Sequence, residues 1–398
     1  MAGGDSRFIG LDVLRFWVAS IVIFAHADGF GNAGKIFYAV PGLGGRILRF
    51  LPAAGWVAVD IFFVLSGFLV SGLLFKEAKE TGTVSVGRFL IRRGLKIYPA
   101  FWVMLAFTVG WMLWHHHSIP LTSLLSELFY FQNYGVFLCF HTWSLAVEEH
   151  FYFLLAGLFW FLKRQSRGKG GINVSGIPDW FLVVAVSCLI LRFVTWVVIL
   201  SPTNFNFFWF EHSDYALFDS LFFGVWLSFL WHHRWDDRLK KQLAAWRWPL
   251  AATGILLILP GVDPIMSIQW FRIAGFILIY LGAGCLLVSC LAVNPVRHSR
   301  LVGWLAWLGR HSYSVYLWHV SAGACLFPWV SLNLNTRTGW AADTIIYFVL
   351  CWVLGVLMAR IIEFPVLRIR DRWFPRLGKQ PDLSKAGALM TVNEPAAE

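Results

Sequence analysis

Three ionisable residues share the first apolar segment of this 398-residue chain: Asp12, Arg15 and His26, in LDVLRF...FAH. On a helix turning about 100° per residue they fall near 0°, 300° and 320°, one polar sector about 60° wide. A charge at the centre of a bilayer costs about 2.5–3.5 kcal/mol on insertion scales, so such a stripe must face a bundle interior or a water-filled cavity. Arg15 and His26 stand about 16 Å apart along the axis. Asp60 in GWVAVDIFFVLSGFL, Glu148 in HTWSLAVEEHFYFL and Asp219 in FDSLFFGVWLS each stand near the start of another apolar run. If those runs begin on the side where His26 ends, one imidazole and three carboxylates come to one depth. A free imidazole titrates at about 6.5, suited to taking a proton at neutral pH, and a carboxylate partner fixes its tautomer. The pattern predicts a buried proton-handling site in which Glu148 or Asp60 orients His26. A plainer alternative pairs Asp12 with Arg15 at i, i+3 to stabilise the helix start. Glu149 and His150 cannot share the face of Glu148, so at least one points to a loop or an interhelical hydrogen bond.

A second cluster is cationic. In RFLIRRGLKIYPAFW, Arg92 and Lys96 lie i, i+4 on one face with Arg88 a turn earlier. One reading is anchoring to anionic lipid head groups, worth about 1 kcal/mol per basic residue. The other is a phosphate site, since guanidinium groups bind phosphate bidentately. Other combinations carry less. His115, His116 and His117 stand in a connection and read as solvated, and Glu148–His150 lacks the E-x-x-H spacing of a carboxylate-bridged metal site. Ser66-Gly67 has no G-x-S-x-G around it and reads as close helix packing. No two of the six cysteines form a C-x-x-C pair, so they read as packing residues, and no metal site is expected.

The elements holding these residues follow from composition. Hydrophobic residues make up 58% of the chain and charged ones 14%, against about 25% charged in soluble domains. Ten apolar spans are predicted, at about 8–27, 56–75, 97–114, 143–162, 179–200, 213–231, 248–262, 271–293, 311–330 and 341–362, each near the ~20 residues a bilayer core requires. The formal net charge of +11 could suggest nucleic acid, but its placement argues otherwise. With the N-terminus inside, the outer connections hold only Lys35, Arg46, Arg49 and Arg337. Arg15, Arg192 and Arg272 lie in or beside spans, and every other Lys and Arg falls inside. That asymmetry follows the positive-inside rule and puts both termini in the cytoplasm. The fold expected is all-α: a polytopic transmembrane bundle over residues 1–375, then a disordered cytoplasmic tail over 376–398. The outer connections 28–55 and 115–142 are rich in aromatic and apolar residues and are expected to pack on the bundle. Ala25-His26-Ala27 has the form of a signal-peptidase site, but the apolar run extends back to Phe8 and Asp12 intrudes, which favours retention of the helix.

Taken together, these strings resemble the integral-membrane acyltransferase-3 family. LDVLRF...FAH, GWVAVDIFFVLSGFL, RFLIRRGLKIYPAFW, HTWSLAVEEHFYFL, FDSLFFGVWLS and HSYSVYLWH occur in family order from Leu11 to about Pro365. Two departures stand out: no arginine immediately precedes the Asp219 motif, and Lys96 stands where arginine is common. The resemblance implies an O-acyltransferase of a bacterial inner membrane. It would move an acyl group, most often acetyl, from acyl-CoA to a carbohydrate or glycan hydroxyl. It further implies that Arg92, Arg93 and Lys96 hold the donor's phosphates, and that the pantetheine arm passes Arg15 and Asp12 towards His26. His26 would act as general base with Glu148, Asp60 or Arg15 in support, while an acyl-histidine route stays open. Asp219, Trp143 and His319 are the expected acceptor-side residues. The partners expected are acyl-CoA, a glycan, the lipid bilayer and, as an open alternative, a second copy in a homo-oligomer; nucleic acid is not among them. A transporter or flippase of a lipid-linked sugar is the competing class, although the inverted symmetry common there is not evident.

Overall fold

Long apolar runs with few breakers leave helices as the available structure, because backbone polar groups in a bilayer must be satisfied within their own segment. The computed structural model describes residues 8–168, 170–195, 197, 217–262, 269–291 and 299–375, with backbone alone for 269–272. The expected tail 376–398 lies outside the described residues, as do Arg7, the side chain of Arg272 and parts of the fifth, sixth and eighth expected spans. The helices are α1 (Ile9–His26), α2 (Lys35–Ala39), α3 (Gly42–Ala53), α4 (Gly55–Thr81), α5 (Val86–Trp114), α6 (Leu121–Leu128), α7 (Trp143–Gln165), α8 (Ile177–Val194) and α9 (Phe218–Phe229). There follow α10 (Asp237–Ala245), α11 (Arg247–Ile258), α12 (Gln269–Leu291), α13 (Arg300–Gly309), α14 (Ser312–Ser321), α15 (Phe327–Val330), α16 (Arg337–Met358) and α17 (Phe364–Trp373).

Among the described residues, seven helices are long and apolar enough to cross a membrane, or eight if α10 and α11, bent by 69°, form one span. The other two expected spans, 213–231 and 311–330, are helical where described, as α9 and as α14 with α15, but are not among the seven. Short π-helical turns follow α9 at Leu230–Arg234 and α14 at Ala322–Leu326. A third, Ala359–Glu363, joins α16 to α17. Three features differ from expectation. The basic stretch before the third span is continuous with it, so α5 runs unbroken for 29 residues through Pro99. The connection before residue 311 contains α13, which packs on α1. The connection 28–55 is itself largely helical, and α2 and α3 pack on the bundle as its aromatic content suggested.

The sides of the bundle are apolar outward as well as inward. Trp102, Phe107, Phe153, Trp160, Leu182 and Val186 are exposed, while Phe63, Phe68, Phe101, Phe151 and Phe276 are buried in the core. With lipid on one face and protein on the other, apolarity does not orient a helix; small residues and polar contacts do. At the α4–α9 crossing a Cβ on Gly67 would lie 2.0 Å from the Leu221 carbonyl oxygen, and one on Gly224 2.2 Å from that of Val64. The two backbones therefore touch. Gly224→Val is expected to force them apart at a cost of about 1–3 kcal/mol or more. A lower melting temperature and a smaller monodisperse fraction in detergent are the readouts, and unchanged values would contradict the packing.

Candidate functional site

The basic end of the bundle opens into a cavity of about 510 Å³. Its wall carries Arg15, Lys76, Arg88, Arg92, Arg93, Lys96, Arg310, Arg360 and Arg370 against three carboxylates, Glu77, Glu80 and Glu363. Arg92 and Arg93 thus meet arginines contributed from far along the chain. A second cavity of about 280 Å³ adjoins it and reaches deeper, sharing Arg15, Leu73, Arg93, Lys96, Arg310 and Glu363 as wall. Beyond that shared collar the wall is mixed: Phe62, Phe63, Leu65 and Leu69 with Ser66, Ser144, Glu148, Tyr152 and Tyr316. The arrangement is a cationic vestibule leading into a narrower, partly apolar passage.

Polar groups in that passage are held in place by hydrogen bonds between helices. The Tyr152 hydroxyl donates to Glu148 Oε2 at 2.7 Å and lies 2.9 Å from Ser66 Oγ. Since Tyr152 has one proton to give, Ser66 supplies the other bond, and α4 is tied to α7 through Ser66, Tyr152 and Glu148. Glu149 takes a separate bond from the Tyr98 hydroxyl at 2.8 Å, on the other side of α7, as the spacing of the two glutamates required. Glu363 accepts from Ser314 at 2.7 Å, where the π turn between α16 and α17 brings it to both cavities. Arg92 donates to Asp371 at 2.8 Å and to the Phe374 carbonyl, and Arg88 donates to the Pro375 carbonyl at 2.7 Å. The end of α17 and the residues after it thereby strap the rim of the vestibule.

His26 ends α1 and is half-buried. Its imidazole partner is His319, at 3.1 Å, rather than Glu148 or Asp60 as expected. Glu148 is committed to Tyr152, and Asp60 lies near Asp219 and Arg192 with neither carboxylate oxygen hydrogen-bonded among the described residues. Similar depth in the bilayer did not bring these helix faces together. His319 is buried, lines neither of these cavities and sits against His26. His141, which sequence reasoning did not single out, packs its ring 5.3 Å from that of His319. The inner passage stops short of these histidines: the Tyr316 hydroxyl donates to the His141 carbonyl at 2.6 Å and lies 2.6 Å from Ser144 Oγ, closing the far end.

The other expected residues divide. Arg15 borders both cavities and pairs with Asp12 at 3.4 Å, so the i, i+3 contact and a place on the passage hold together. Asp12 lines neither cavity; α13 presses on its backbone, where a Cβ at Gly309 would come within 1.7 Å of the Asp12 carbonyl oxygen. Trp143 opens α7 with its ring edge-on to Phe63 at 6.0 Å, behind the wall of the passage. Asp219 is buried in an ion pair with Arg192 at 2.6 Å. Its ion-pair partner comes from α8, 27 residues away.

The turn carrying His141 is tied by Glu127, which is fully buried and accepts from the Leu138 and Cys139 amides at 3.2 and 2.8 Å and from the Thr142 hydroxyl at 2.8 Å. Burial pushes its carboxyl up to about 7 despite these donors. A raised folded-state value means the native protein holds this proton more tightly than the unfolded chain. The corresponding stability is present below about pH 4.5 and is lost as pH rises towards 7. The melting temperature should therefore fall across that window in the wild type and fall less in Glu127→Gln; parallel curves would contradict the assignment.

Comparison with known proteins identifies the family. The profile of a family described as acyltransferase domain matches residues 8–360. Peptidoglycan O-acetyltransferase OatA of Listeria monocytogenes is 26% identical over 334 residues, covering 78% of this chain and 51% of the relative. A putative peptidoglycan O-acetyltransferase of Bacillus subtilis, YrhL, is 27% identical over 298 residues, 67% of this chain and 44% of the relative. A putative O-acetyltransferase of Staphylococcus aureus is 26% identical over 295 residues, 67% and 45% respectively. The chain spans about half the length of these curated relatives, and no solved structure matches it. With a match that takes in α1 and reaches into the π turn after α16, this multi-pass membrane protein belongs to the acyltransferase-3 family.

Proposed function

We propose that the protein moves an acyl group, specifically acetyl, from acyl-CoA to a hydroxyl of a cell-envelope glycan, with peptidoglycan the first acceptor to test. The basic end of the bundle faces the cytoplasm of a bacterium and the membrane is the inner one. The observation that carries the reading is the cationic vestibule opening into the passage. Coenzyme A has the matching shape: a triphosphorylated nucleotide head and a long, neutral, flexible arm. Nine Lys and Arg against three Glu suit the head, since guanidinium groups can bind phosphate bidentately. The arm follows Arg15, Leu69 and Lys96 past Glu148 towards Tyr316.

Transfer is then acid–base chemistry at the end of α1. His26 takes the proton of the acceptor hydroxyl, and the oxygen attacks the thioester carbonyl carbon. A C–O bond forms, the C–S bond breaks, and the departing thiolate receives the proton back from the imidazolium. The Tyr316 ring must turn aside for the thioester to reach His26, because its hydroxyl closes the passage. Relatives named O-acetyltransferases support this reading over transport.

The test uses purified protein in liposomes loaded with acetyl-CoA, with soluble peptidoglycan strands outside, and follows thiol release and acetylated product. Replacing both Arg93 and Lys96 with Gln should raise the KM for acetyl-CoA about tenfold or more, each lost charge-assisted contact being worth about 1.5–3 kcal/mol, with a smaller effect on kcat. Absence of acetyl transfer by the wild type would defeat the reading. An unchanged KM in the double variant would remove the vestibule as the donor site.

A further inference from the structure

The hydrogen positions around His26 are dictated by its partners. Its Nδ1 lies 2.9 Å from the Val22 carbonyl oxygen, which can only accept, so this nitrogen carries the proton. His319 Nδ1 lies against the Tyr316 carbonyl, so it too carries a proton. In a neutral ring that leaves Nε2 of His319 as a lone pair, and this lone pair sits 3.1 Å from His26 Nδ1. One N–H of His26 is therefore shared between a carbonyl and an imidazole, and its Nε2 is left unprotonated.

We propose that His319 is a positioning residue for His26: it fixes the tautomer and ring orientation that make Nε2 the basic nitrogen. This inference rests on the base role proposed above for His26. The place is one that general-base sites often give to a carboxylate, here taken by a neutral ring. The titratable groups facing His26 are His319 from α14 and His141 from the turn before α7. Carboxylates on neighbouring helices are engaged elsewhere or set apart: Glu148 with Tyr152, Asp343 with the Leu332 amide, and Asp60 beside Asp219 and Arg192. His319 is itself well held, since Cys351 Sγ reaches its carbonyl at 3.7 Å and its ring is fully buried. When His26 accepts a proton at Nε2, both of its nitrogens become donors. His319 then supplies an acceptor for the N–H facing away from substrate, without moving.

The test compares His26→Ala, His319→Phe and His319→Gln in the liposome assay, with acetyl-CoA and peptidoglycan strands as probes. His319→Phe keeps ring volume and removes the acceptor, and should lower kcat about tenfold while the KM for acetyl-CoA changes less than about twofold. His319→Gln restores an acceptor oxygen and should recover most of that loss, which a merely structural role would not require. A second readout needs no acceptor: carbethoxylation of His26 by diethyl pyrocarbonate, which attacks an unprotonated nitrogen, followed by peptide mass spectrometry. Its rate should change about threefold or more in the Phe variant and less in Gln. An inactive His26→Ala beside a wild-type kcat in His319→Phe would overturn this inference and leave the base reading standing. Gln performing no better than Phe would do the same. Full activity in His26→Ala would remove both.

Discussion

His26→Ala is expected to lower acetyl transfer by about two to four orders of magnitude, the usual contribution of a positioned general base. The imidazole ends α1 with its Nδ1 occupied by Val22 and His319, so a single nitrogen is left for the acceptor hydroxyl. No carboxylate hydrogen-bonds it among the described residues. The loss should fall on kcat, because the cationic vestibule lies near Arg15, about three helical turns away. Steady-state rates in liposomes, with a melting curve to confirm folding, make the check. A variant within threefold of the wild type would exclude the assignment.

The second large effect concerns stability. Arg192→Leu should cost about 3–5 kcal/mol, the range for breaking a buried ion pair by removing one partner. Arg192 and Asp219 are 0% and 1% exposed and 2.6 Å apart, and the guanidinium lies over the Phe276 ring at 4.5 Å. Its removal leaves Asp219 buried with Asp60 beside it, two carboxylates without their cation. Little monodisperse protein should survive extraction. The double variant Arg192→Leu/Asp219→Leu should recover a large part of the loss, since replacing both members of such a pair by apolar groups is often neutral. If the single and double variants melt together, Asp219 does not depend on Arg192, and its expected place on the acceptor side regains ground.

Much of this architecture was legible in the chain. The apolar runs and the placement of Lys and Arg define the spans. The Asp12–Arg15–His26 stripe lies on an inward-facing helix, with Arg15 on the passage. The i, i+4 spacing of Arg92 and Lys96 put both in the wall of the vestibule. Helical spacing reports which face of one helix is polar, but not which other helix meets it. The partner of His26 shows the difference: depth alone favoured Glu148 or Asp60, and the crossing of α1 with α14 delivered His319. Arg192 stood recognisably in a span, yet its pairing depends on α8 packing against α9. Glu363 was hidden for another reason. It falls just past an apolar run, where a charge is ordinary, and only the extra residue of a π turn brings it to the cavities.

The hydrogen bonds of Tyr316 to Ser144 and His141 have a bioenergetic consequence. A water-filled pore from one aqueous face to the other would short-circuit the proton-motive force of any energised membrane that contained it. Two hydrogen bonds of the Tyr316 hydroxyl would have to break before water could pass between Ser144 and His141. On the reading proposed above, that seal lets donor and acceptor be drawn from opposite compartments while the bilayer stays electrically tight.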